Sequence, residues 1–131
     1  MRLWRVRGCF MPRDPADILR EDRIRLTHMA DSARRALRIA HGLTGELLAA
    51  DEVRLLAVVK SIEVIGEAST KVSPPTQQRL ATIDWQGMRQ MRNRMIHGYD
   101  TVDPDRVWDA LSLDVPPLLA ELERVLASWP N

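Results

Sequence analysis

Apolar residues along this chain recur at helical spacing, and the alternation that marks strands is nearly missing. Asp14-Pro15 reads as an N-cap followed by a first helical position, where proline's missing N–H costs nothing. Beyond it Leu26, Ala30, Ala33, Leu37 and Ala40 step by three or four and define one helix face, with Gly42 and Gly45 ending the helix. A second helix is predicted from about Asp51 to about Val72. Its apolar set (Leu55, Leu56, Val58, Val59, Ile62, Val64, Ile65, Ala68) covers more than one face and leaves a polar stripe at Lys60, Glu63, Glu67 and Lys71. Such a helix is either central in a bundle or shared with a second chain. Ser73-Pro74-Pro75 stops it, and a short helix is expected over 75–81.

Asp84 is placed to cap a third main helix, from Trp85 to about His97, with Met88, Met91 and Met95 as its core stripe. Asp103-Pro104 repeats the cap-plus-proline start. Val107, Leu111, Val115, Leu118, Leu122 and Val125 continue the pattern to about Ser128. Pro116-Pro117 falls inside this last helix and is expected to kink or split it. The predicted fold class is all-α, an antiparallel bundle of four main helices plus a short one. Residues 14–129 form its single domain, and residues 1–13 are a basic tail or an over-long start, with Met11 as an alternative beginning.

Composition narrows the function classes. At 131 residues roughly two-thirds of the unfolded surface can be buried, so a core forms without staples. No apolar run is long enough to span a bilayer, and the N-terminus makes a poor secretory signal, so no membrane partner and a cytoplasmic setting are expected. One cysteine, Cys9, excludes a disulfide framework and has no base beside it. His28, His41 and His97 are not at metal-ligand spacing, so no metal and no cofactor are expected. His28 and His41 read as structural or surface residues. The net charge of +1 does not announce a nucleic-acid binder, but residues 1–13 carry +4 and the remainder −3. Seventeen of the nineteen cations are arginine, the better phosphate ligand.

The densest polar segment is Met91-Arg92-Asn93-Arg94-Met95-Ile96-His97-Gly98-Tyr99. On a continuous helix Asn93 and His97 share a face, Arg89 lies one turn before Asn93, Arg92 and Tyr99 nearly superpose, and His97 sits about 140° from Arg92. These types suit phosphodiester chemistry. Histidine takes or gives a proton near neutral pH. Arginine meets charge building on phosphate oxygens. Tyrosine hydrogen-bonds a phosphate or stacks on a base. The plainer readings are a histidine helping a helix C-terminus and a solvated arginine face. Glu63 and Glu67 either face solvent or pair with arginines of the third helix.

Arg92 to Tyr99 resembles the Arg-x4-His-x-Tyr motif of the HepT family, the toxin branch of the HEPN superfamily. Glu63-Val64-Ile65-Gly66-Glu67-Ala68, Trp85, Val102-Asp103, Trp108 and Asp114-Val115-Pro116-Pro117-Leu118 also match in order, over about residues 16–127. Arg89-Gln90 departs from the Ile-Gly often found there. The resemblance implies a helical homodimer with one motif from each chain bordering a single cleft. It implies a metal-independent endoribonuclease toxin acting on tRNA or mRNA, with Arg92 and His97 catalytic and Asn93, Tyr99 and Arg89 binding substrate. It further implies an MntA-type nucleotidyltransferase antitoxin that transfers AMP to Tyr99. The alternative is a non-catalytic HEPN module that binds nucleotide or RNA beside such a nucleotidyltransferase.

Overall fold

The structure, a computed structural model, describes residues 13–97 and 101–130, His97 through its backbone alone. The first helix, α1 (Pro15–Ile39), starts where Asp14 accepts the Ala16 N–H at 2.9 Å. Its predicted stripe points inward: Leu26, Ala30 and Ala33 are fully buried. Gly42 follows the helix with φ 80°, the left-handed conformation that glycine adopts without penalty. Gly45, expected as a second stop, instead opens an additional short helix, α2 (Gly45–Ala50), capped by the Thr44 hydroxyl. A Cβ at Gly45 would lie 3.2 Å from the Trp108 ring, so close packing explains this glycine.

Helix α3 (Glu52–Thr70) is capped by Asp51 and is the central element, packing on both α1 and α5. Its outer face keeps Lys60 and Glu67 exposed and Glu63 half-buried. Among the described residues neither glutamate has an ion-pair partner, which decides for the solvated stripe. Helix α4 (Pro74–Arg79) follows, as expected from Ser73-Pro74-Pro75. Its N-cap serine does not cap its own helix. Asp22 of α1, 2% exposed, accepts from the Ser73 N–H at 2.9 Å, the Ser73 hydroxyl at 2.6 Å and the Thr76 hydroxyl at 2.6 Å. One buried carboxylate thereby pins the α3–α4 corner onto α1.

Helix α5 (Trp85–Met95) begins at its Asp84 cap and buries Met88, Met91 and Met95. It ends two residues earlier than the sequence suggests. Ile96 is extended (φ −120°, ψ 126°), and Ile96–His97 form strand β1, antiparallel to β2 (Thr101–Val102), with Ile96 opposite Val102 and His97 opposite Thr101. The Asp103 N–H donates to the Met95 carbonyl at 2.7 Å, so the returning chain satisfies a carbonyl at the helix end.

Asp103 also caps α6 (Pro104–Asp109) through the N–H groups of Asp105 and Arg106. The expected break at Pro116-Pro117 takes a specific form. A π turn over Ala110–Asp114, with the Val115 N–H bonded to the Ala110 carbonyl, precedes α7 (Val115–Ala127). The prolines then occupy the first turn of α7, where their missing N–H groups go unneeded. Right-handed helix continues on both sides of the π turn.

Helix α7 packs on α1, where Arg34 bridges Asp31 and Glu123. It also holds the α4–α5 loop, where the Thr82 hydroxyl donates to Glu121 at 2.6 Å. Hydrogen bonds from Arg124 first, and from Thr82, lower the Glu121 pKa from 4.5 to about 2. A depressed carboxylate stabilises the fold above its unfolded pKa and loses that contribution as pH falls through the folded value. The melting temperature is therefore expected to fall more steeply between pH 4.5 and 2 in the natural chain than in Glu121→Gln. Parallel acid melts of the two proteins check this.

Candidate active site

The final two turns of α5 carry the polar cluster. Arg89, Arg92 and Asn93 are all exposed on one flank of the helix, with the methionine stripe buried behind them. Arg89 and Asn93, four residues apart, keep the shared side that the spacing predicts. Among the described residues neither Arg89 nor Arg92 has an ion-pair partner. Two permanent cations thus stand in solvent with no described carboxylate paired to them, a disposition that attracts anions.

Arg94 diverges from the others. It projects from the opposite flank, toward the π turn, with its guanidinium 3.9 Å from Asp114. The motif's two arginines, only two residues apart, therefore serve different surfaces.

His97 is where helix reasoning fails. Because α5 stops at Met95, Asn93 and His97 are not a helical i, i+4 pair, and the expected 140° offset from Arg92 does not apply. The His97 backbone stands two residues beyond the helix end, in an antiparallel pair with Thr101. The superposition of Arg92 and Tyr99 is predicted only for a continuous helix, and α5 does not extend to residue 99. Tyr99, like Cys9, lies outside the described residues.

Of two supporting residues, the sequence reading gives Asp103 as a helix cap alone and misses Asp22. Asp103 joins the hairpin to α6 by donating its N–H to Met95 while its carboxylate caps the next helix. Asp22 locks the far corner. Its signal was present: it lies one turn before Leu26, at the position that continues the α1 core stripe backwards. His28 and His41 are both exposed, in line with a surface reading. Among the described residues no helix is long and apolar enough to cross a membrane.

Comparison with known proteins places this arrangement. The model of the family described as "Ribonuclease HepT-like" matches residues 29–125, which include every main helix in whole or part. A protein of Thermococcus cleftensis named "Probable ribonuclease HepT" is 32% identical over 75 residues, covering 57% of this chain and 68% of its own. A protein of Methanocaldococcus jannaschii, provisionally named an RNase, is 31% identical over 70 residues, covering 53% of this chain and 58% of its own. A Caldanaerobacter subterraneus protein, also provisionally named an RNase, is 25% identical over 101 residues, covering 77% of this chain and 90% of its own. The chain thus spans less than two thirds of the M. jannaschii relative. No solved structure matches. With the family model covering most of the bundle, the helix that carries Arg92 and Asn93 and the strand that carries His97, the chain belongs to the HepT-like ribonuclease family.

Proposed function

We propose that this chain is a metal-independent endoribonuclease toxin whose cleavage chemistry is carried by Arg92 and His97. The observation that carries the reading is the pair of exposed arginines on α5, without an ion-pair partner among the described residues, directly before the strand that holds His97, within a chain of the HepT-like family. Arg92 grips the phosphate with its two-pronged guanidinium as charge builds on the non-bridging oxygens. Asn93 and Arg89, on the same flank, orient the phosphate and the strand. His97 takes the proton of the ribose 2′-hydroxyl as the 2′ oxygen attacks phosphorus. The bond from phosphorus to the 5′ oxygen breaks, and that oxygen leaves with a proton. The products are a 2′,3′-cyclic phosphate and a free 5′-hydroxyl.

In-line displacement puts nucleophile and leaving group on opposite sides of phosphorus. A base and an acid on opposite sides of one cleft meet that need, and a two-fold homodimer with two motifs supplies them. Helix α3 supports the dimer: Val53 is 79% and Leu56 50% exposed on its outer face, where a second copy would bury them. Light scattering at micromolar concentration is expected to give twice the chain mass, and a monomer there would count against the shared cleft.

Control is proposed to run through an MntA-type nucleotidyltransferase that adds AMP to Tyr99, the chain's only tyrosine. Each AMP brings a phosphodiester charge and a base to the motif, where the charge competes with the RNA phosphate for the motif's cations. Co-expression with such an enzyme is expected to add whole AMP masses to the peptide holding Tyr99. Tyr99→Phe is expected to lose the adduct and escape neutralisation. The cleavage assignment itself is tested by incubating the purified chain with total RNA beside His97→Ala. Fragmentation by the first alone supports it, and intact RNA in both supports the non-catalytic binding module instead.

A further inference from the structure

The ring of main helices is tight on three sides: α1 packs on α3 and on α7, and α3 packs on α5. Between α5 and α7 runs a groove of about 250 Å³. Ile83, Met88, Met91 and Leu118 make its apolar lining, and its rim carries three carboxylates: Asp114, 3.9 Å from Arg94, Glu121, bonded to Arg124, and Asp84, which caps α5 and has no ion-pair partner among the described residues. Leu113, 66% exposed, stands at its edge. Unbranched methionine side chains adapt to an incoming apolar group without a fixed shape of their own.

We infer that the N-terminal segment of this same chain, residues 1–12, docks in this groove. The chemistry is complementary. Arg2, Arg5 and Arg7 have no acid among them and alternate with Leu3, Trp4 and Val6, with Phe10 beyond, so cations meet the acidic rim while apolar side chains reach the methionines. The position is right as well. Asp22 near the start of α1 is bonded to Ser73 and Thr76, and the chain runs from there through Thr82 and Ile83 into α5. The segment preceding α1 therefore enters at the end of the bundle where the groove's Thr82–Asp84 side lies. Twelve extended residues reach up to about 40 Å, well beyond the roughly 16 Å length of an eleven-residue helix such as α5. The inference stands apart from the ribonuclease reading, because it rests on surface chemistry away from the Arg92 flank.

Cys9, the single cysteine, provides the test in the full chain. A nitroxide attached there is expected to broaden the methyl signals of Met88, Met91 and Leu118, with Leu48 unaffected, and reduction of the label to restore them. The Arg2→Gln, Arg5→Gln, Arg7→Gln triple variant leaves the helical bundle untouched and is expected to recover most of the lost intensity. Equal signals across all methyls in the natural chain would overturn the inference. So would broadening seen only when an isotope-labelled chain is mixed with a separate nitroxide-labelled one, since the groove would then take a second copy's segment.

Discussion

Arg92→Ala is expected to lower kcat/KM for RNA cleavage by about a hundred- to a thousand-fold, the roughly 2.7–4 kcal/mol typical of losing one preorganised donor to a developing oxyanion. The melting temperature should stay near its natural value, because Arg92 is exposed and no described residue pairs with it. Arg92→Lys keeps the charge and loses the fork, so its activity should lie between the two. His97→Ala is expected to reduce cleavage to background while the fold persists, since the pairing of residue 97 with Thr101 is made by the main chain, which alanine retains. Cleavage kinetics alongside thermal melts separate the two effects. Arg92→Ala with natural activity would remove the phosphate role assigned to that side chain.

The largest effect on stability is expected far from the motif. Asp22→Ala leaves the Ser73 N–H and two hydroxyls without their acceptor at a site that is 2% exposed. A buried donor left unsatisfied costs about 1–3 kcal/mol, and three donors sharing one partner relax together rather than additively, so about 3 kcal/mol is expected. For a domain of this size that is a drop of roughly 10–15 °C in melting temperature. Asp22→Asn retains one acceptor oxygen and should lose about half as much. Asp31→Ala, on an exposed stretch of the same helix, serves as the control and should shift little. Equal, small losses in Asp22→Ala and Asp31→Ala would mean that the corner is held by packing rather than by this carboxylate.

Helices were legible wherever an apolar stripe and a cap coincided. Asp14-Pro15, Asp51, Asp84 and Asp103-Pro104 all cap helices in the structure, and the methionines of α5 all face the core. Misreadings occurred where a tertiary partner overrides local spacing. Nothing between Trp85 and His97 forbids helix. What ends α5 at Met95 is the chain returning six residues later to pair with Ile96 and His97, and strands of two residues are too short to show alternation. Gly45 looked like a stop because the Trp108 ring that packs over it is distant in sequence. The proline pair signalled an irregularity correctly, but a π turn accommodates it ahead of the prolines. At the site, the types and their clustering were legible, whereas the split between Arg92 and Arg94 required the position of Asp114.

The most direct measurement on the central claim is the chemistry of the cut ends. A single defined RNA, labelled at its 5′ end, is cleaved by the purified natural chain in EDTA and in Mg²⁺. Acid–base catalysis by His97 with Arg92 on the phosphate predicts equal rates in both buffers, a 2′,3′-cyclic phosphate on the upstream fragment and a 5′-hydroxyl on the downstream one. Cleavage that stops in EDTA, returns with Mg²⁺ and leaves a 5′-phosphate would contradict the account.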